Sequence, residues 1–319
     1  MTHTPARKLW SALALITAFA LVLTACGGAA TPAPKPTIKL AENAWTGSSV
    51  NVHVAKILLE KLGYPVEIVT IDENAQWASL AKGDLSASLE LWPSGHAENI
   101  KQYIDEQKVV ENAGPLGVVG KIGWYIPTYM VDQNPELATW EGLKQDAAMF
   151  KTAETGDAGQ FLAGDPSWVQ YDGDVIKNLD MNFKVVSVGS EQAVLAAVDA
   201  AYSRNDPVLF YFWTPHSVHA KYELTEVKLP DYSDACYAKA SAGGVDCDYP
   251  PDVLFKIVWG DLKTKTPEAY QLLKNFKYTN ADQIGMIAAV EVNGKTVDAA
   301  AQEWVDKNEA TWKAWMPTN

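Results

Sequence analysis

The sequence predicts an α/β protein built as two lobes around a cleft. Strand-like and helix-like runs alternate in two separate series, one over residues 38–91 and one over residues 137–212. Between them, residues 121–127 are extended and aromatic, with Trp124 and Tyr125, as a crossover would be. The chain has 319 residues, 48% hydrophobic and 20% charged, enough for two ordinary lobes with buried cores.

In the first series, Ile38-Lys39-Leu40 opens a short strand that ends near Trp45. Val50, Val54, Ile57, Leu58 and Leu62 follow helical spacing, and Gly63 stops that helix. A second strand covers 66–69, a short helix 74–82 ends at Gly83, and a third strand covers 86–91. The second series has a helix near 137–145 and a Gly/Asp-rich loop over 155–165. A helix over 174–179, a strand over 184–188, a helix over 191–204 and a strand over 208–212 complete it. That last strand is apolar on both faces, as a buried parallel strand should be. Further on, Pro267 suits a first helical position, and a helix over 267–276 carries Tyr270, Leu272, Leu273 and Phe276. A closing helix near 297–315 reads as packing.

The first 26 residues precede any folded element. Arg7 and Lys8 are followed by an uncharged, almost continuously apolar run over 9–23, the pattern of an export signal. It ends in Leu23-Thr24-Ala25-Cys26-Gly27, which resembles a bacterial lipobox, in which the cysteine thiol is lipidated before the signal is cut. The run is short for a membrane span. The Pro-rich stretch after Cys26 reads as a semi-extended tether. The expected organisation is a signal over 1–25, a lipid-anchored linker over 26–36, lobe 1 over 37–122 plus 229–319, and lobe 2 over 123–228. In an exported chain, the two remaining cysteines, Cys236 and Cys247, read as a loop disulfide.

A net charge of -13 argues against a nucleic-acid partner, because the balance would not neutralise phosphates. The sequence carries no phosphate loop, nucleophile elbow, zinc-protease signature or dinucleotide fingerprint, so no cofactor and no enzymatic activity are expected. His216 and His219 lie three apart, but no third ligand is near in sequence, and no metal is expected.

The chemistry lies in the tryptophans, twelve in all. Trp45, Trp92, Trp168 and Trp213 follow strand-like segments or sit in Gly/Asp/Pro-rich loops. Proline follows Trp92 directly and Trp213 one residue later, stopping each strand. In open α/β sheets ligands bind beyond the carboxyl ends of strands, so these rings should enter the cleft, two from each lobe. A quaternary ammonium has no N–H to donate, so a protein holds it with ring faces, fixed negative charge and apolar enclosure. Glu90 lies two residues before Trp92 and shares its strand face, where it could meet the cation or a hydroxyl, or be a structurally paired carboxylate. Tyr125 is a candidate further wall of the box, or a structural aromatic.

Three motifs resemble the glycine betaine/choline-binding family of ABC-importer substrate-binding proteins. They are Trp92-Pro93-Ser94-Gly95-His96, Asp165-Pro166-Ser167-Trp168 and Phe212-Trp213-Thr214-Pro215, in the family's order. The resemblance covers about residues 38–315. It implies a type II periplasmic-binding-protein fold whose C-terminal segment returns to lobe 1, with the ligand in the inter-lobe cleft. It implies that Trp92, Trp168 and Trp213 enclose a trimethylammonium group, with Trp45 similar to an extra ring of choline-binding members. It also implies a carboxylate subsite from His96 and the amides of Val169 and Gln170. Ser167 stands where the family usually has glycine, and Val169-Gln170-Tyr171 differs from the loop of betaine-type members. The implied partners are a small quaternary-ammonium ligand, an importer permease and the membrane through the lipid. A monomer at the outer face of the cytoplasmic membrane, or in the periplasm, is expected. Other readings are an exported enzyme acting on such amines, or a sensory or binding protein for another ring-stacking solute such as a sugar.

Overall fold

The computed structural model describes residues 34–318 and Met1. The signal expected over 1–25, Cys26 and most of the linker lie outside the described residues. Among the described residues, no helix is long and apolar enough to cross a membrane.

Strand β1 (Ile38–Glu42) leads into helix α1 (Thr46–Lys61), whose apolar face buries Val50, Val54 and Leu58 completely. Gly63 takes φ 82°, a left-handed conformation that glycine adopts without steric cost, and the chain turns into β2 (Val66–Thr70). Helix α2 (Ala75–Lys82) ends the same way at Gly83 and is followed by β3 (Ala87–Leu91), whose five residues are all buried. β1 pairs in parallel with β2 and β3. The long strand β4 (Val110–Pro127) then carries the chain into the second series. There β5 (Gly159–Ala163), β6 (Phe183–Ser187) and β7 (Leu209–Thr214) form a second parallel set, with the helix Glu191–Arg204 between β6 and β7. β8 (Leu224–Glu226) pairs with β4, and β9 (Pro251–Trp259) brings the chain back. The sheet order is β2-β1-β3-β9-β4-β7-β5-β6. β9 is antiparallel to β3 and β4, and β4 is antiparallel to β7, so two adjacent crossing strands join the parallel sets.

Each set has its own core. One gathers Leu40, Leu58, Leu272, Phe276 and Trp304, with a smaller cluster around Trp77 and Ile257 beside it. The other gathers Trp124, Phe161, Val198, Phe210 and Phe212. The C-terminal helices Pro267–Asn275, Asn280–Glu291 and Val297–Lys307 pack with the first core.

Three expectations need amendment. The stretch 155–165, expected as a loop, contains β5, which lies between β6 and β7. Its flanking Gly and Asp residues hide five residues of buried strand. β9 was not expected at all, although its alternating burial over Pro251–Trp259 is that of a sheet strand. Residues 229–249, expected with lobe 1, pack in the second core through Leu229, Cys236, Val245, Cys247 and Tyr249. The Tyr249 hydroxyl donates to Asp172 at 3.0 Å and Cys236 is bonded to Cys247, so this segment stays with the second core until β9 begins.

Candidate functional site

A pocket lies where the two parallel sets face each other. Trp45, Trp92, Trp168 and Trp213 all line it. Trp45 stands at the turn into α1 in extended conformation, and its ring packs with the second core although its backbone belongs to the first set. Trp168 stands almost perpendicular to two neighbours. It lies 6.4 Å from Trp45 at 81° and 5.3 Å from Trp213 at 88° between ring centroids and planes. Trp213 is held by Phe212, stacked at 4.4 Å and 6°. It lies within β7, one residue before its end, rather than following it. Trp92 packs against both cores.

Two glycines fix these rings. A Cβ on Gly120 would lie 2.4 Å from the Trp92 ring, and one on Gly164 would lie 2.2 Å from the Trp168 ring. Only a residue without a side chain lets each indole lie this close to the backbone.

Glu90 is buried beneath the rings and does not line the pocket. The indole N–H groups of Trp45 and Trp92 donate to Glu90 Oε1, at 2.8 and 3.1 Å. Gln283 donates to Oε2 at 2.7 Å, as does Asn51. Burial pushes the Glu90 carboxyl up to about 7, with the bonds from Trp45, Trp92 and Gln283 working against that and Glu191 adding to it.

His96 and Val169 meet on the opposite wall, with Glu73 between them. Trp77 Nε1 donates to His96 Nδ1 at 3.3 Å, which leaves the ring N–H on Nε2. That N–H faces Glu73 Oε2 at 3.2 Å. The other oxygen, Glu73 Oε1, accepts the backbone N–H of Val169. Glu73 sits in the turn before α2. Asp72 shapes that turn by accepting the amides of Asn74 and Ala75, at 2.7 and 3.0 Å.

Besides Glu90, the structure separates two more candidates from the pocket. Gln170 is not among the lining residues, and its side-chain nitrogen is buried without a hydrogen-bond partner. Tyr125 faces Phe210 and His219, with centroids 6.2 and 4.8 Å away. On β4 the residue turned to the pocket is Ile122, and positions three apart on a strand face opposite sides. Sequence reasoning missed Ile122, Tyr211, Glu73, Ser94 and Gly95 as lining residues. Tyr211 had a usable signal, since it lies two before Trp213 on one strand face. Glu73 had none, because a carboxylate in a polar turn reads as solvated.

His216 and His219 diverge. His219 Nε2 lies 2.9 Å from the Trp213 carbonyl oxygen. His216 lies between Glu191 and Glu291, at 2.9 and 3.2 Å. Glu191 also accepts the amide and hydroxyl of Thr46, at 2.7 and 2.8 Å, and the hydroxyl also reaches Glu291 at 2.7 Å. This buried cluster ties the N-terminus of α1 and the end of Asn280–Glu291, both of the first set, to the second set.

Two parallel sets with separate cores, joined by antiparallel crossings around an aromatic pocket, define a two-lobed solute-binding protein of the type II periplasmic class. Residues 36–307 match the family described as the substrate binding domain of ABC-type glycine betaine transport systems, and the chain belongs to that family. Its members are extracytoplasmic receptors that serve importers, not enzymes. Among relatives, the trimethylamine N-oxide-binding protein of Pelagibacter ubique is 27% identical over 290 residues, 87% of this chain and 90% of that one. The glycine betaine/proline betaine-binding periplasmic protein of Salmonella typhimurium is 21% identical over 332 residues, 94% of this chain and 95% of that one. The fold is shared with an ABC-transporter choline-binding protein in complex with choline, at TM-score 0.71 and 19% identity over 89% of this chain and 93% of that one. It is also shared with lactococcal OpuAC, closed on glycine betaine, at TM-score 0.69 and 21% identity over 89% of this chain and all of that one.

Proposed function

We propose that this chain is an exported receptor, lipid-anchored through Cys26, that captures a small quaternary or fully methylated amine in an aromatic cage and presents it to an importer permease. The observation that carries the cage is Trp168 standing upright between Trp45 and Trp213, at 81° and 88°. Ring faces so arranged form three sides of a box, and Trp92 supplies a further wall. Each desolvated indole face stabilises a cation by about 2 kcal/mol, so several reach useful affinity without an ion pair to the ligand. Glu90 beneath two of the rings adds negative charge once it ionises, at about pH 7. The substrates named for the relatives, trimethylamine N-oxide, glycine betaine and choline, share a methylated nitrogen and support the same reading. A sugar stacks on indole too, but it needs several polar side chains, and of the lining residues only Glu73, Ser94, His96 and Tyr211 carry a polar group besides the indoles.

Calorimetry with tetramethylammonium and choline tests the cage. In Trp213→Ala, binding is expected to weaken by about a hundredfold or more, with a cooperative melt retained. Unchanged affinity would refute the cage. The anchor is tested separately: Cys26→Ser should move the chain from the membrane fraction to the soluble one, and membrane retention would refute lipidation.

A further inference from the structure

We propose that Glu73 supplies from the protein the anion that a betaine would bring, so the pocket selects methylated amines that carry no carboxylate of their own. The inference rests on the cage reading and specifies its ligand.

Polar ends of ligands are recognised by groups with unspent hydrogen-bonding capacity. The two donors on the wall facing the cage are His96 Nε2–H and the Val169 amide, and both are already directed at Glu73. The His96 tautomer leaves it one N–H to give, because Trp77 Nε1 donates to Nδ1. Ser94 is engaged as well: its amide and hydroxyl donate to the buried Asp252, at 3.0 and 2.7 Å. The indole N–H groups of Trp45 and Trp92 go to Glu90. None of the residues lining the pocket is a lysine or arginine. On that wall an incoming carboxylate would therefore meet engaged donors and the like charge of Glu73, with little water to screen them, while the free indole N–H of Trp168 lies on the cage side. A cation without a carboxylate meets the reverse: one negative group at the rim, held in place, with no second anion to repel it. An alcohol on the ligand could donate to Glu73 directly.

Glu73 also spans the cleft. Its backbone belongs to the turn after β2, and Val169 belongs to the loop after β5. The same carboxylate that sets the charge of the pocket thus helps hold the lobes together around the ligand.

The test is titration calorimetry of the full chain in a non-ionic detergent, against tetramethylammonium, choline and glycine betaine. Wild type is expected to bind choline at least tenfold more tightly than glycine betaine. The isosteric Glu73→Gln is expected to shrink that ratio about tenfold. Glycine betaine bound as tightly as choline, or a ratio unchanged in Glu73→Gln, overturns the proposal. The wild-type ratio decides even where the variant fails to fold. Tetramethylammonium separates the two levels. If it binds while glycine betaine is preferred, the cage stands and the role of Glu73 falls. If no methylated amine binds, the cage falls and this inference with it.

Discussion

The indole N–H of Trp45 donates to Glu90 Oε1 at 2.8 Å, so a ring that walls the pocket is steered by a carboxylate that never reaches it. Glu90 takes Trp92 by the same oxygen at 3.1 Å, and one buried acid thereby sets the angle of two walls.

Glu90 makes stability and binding respond to pH in opposite directions. Burial lifts its carboxyl from 4.5 to about 7, so the folded protein holds a proton that the unfolded chain releases earlier. Its contribution to stability is complete below about pH 4.5 and is lost as pH rises through about 7. Affinity for a methylated cation should rise over the same window, as the charge under the rings appears. Glu90→Gln should flatten both slopes. Melting temperatures and cation affinities at pH 5 and 8, compared between wild type and variant, check this. Asp172, lifted by burial to about 6, titrates in both proteins and cancels in the comparison.

Gly164→Ala should weaken cation binding by about tenfold or more while the protein stays folded. The added methyl would sit 2.2 Å from the Trp168 ring, and the ring has to leave its perpendicular stance. Tryptophan fluorescence and a ligand titration report the displacement and its cost together.

Thr46→Val should weaken ligand binding without touching the pocket lining. Thr46 donates to Glu191 of the opposite lobe at 2.7 and 2.8 Å, and the variant keeps only the backbone bond. The closed population falls, and apparent affinity falls with the binding-competent fraction. Small-angle scattering without ligand should give a larger radius for the variant, and saturating ligand should remove the difference.

Replacing Cys236 and Cys247 together by serine should cost about 2–3 kcal/mol of stability in a urea titration, because the bond closes a loop with a sequence separation of 11.

The pocket-lining tryptophans were legible because rings at strand ends punctuated by proline, in a parallel sheet, have one place to point. Trp92 and Trp213 were found by that rule. Glu90 was legible as sharing a face with Trp92, but not as a brace, since the burial of a carboxylate depends on Asn51 and Gln283 arriving from elsewhere in the chain. Tyr125 stayed open between wall and structural aromatic because residue parity on β4 follows from its register with β7, where Ile122 pairs with Trp213. β9 was hidden by Pro251 and Asp252 at its start, and β5 by Gly and Asp on either side. The meeting of Glu73 with Val169, 96 positions apart, leaves no trace in local pattern.

The paired crossings β4 and β9 restrict how the molecule can release its cargo. Two neighbouring spans resist sliding and twisting, as two pins on a door leave only the swing. Register shifts in β4 between Asn112 and Val119, with Gly114 and Gly117 at φ 93° and 97°, give the spans a place to bend.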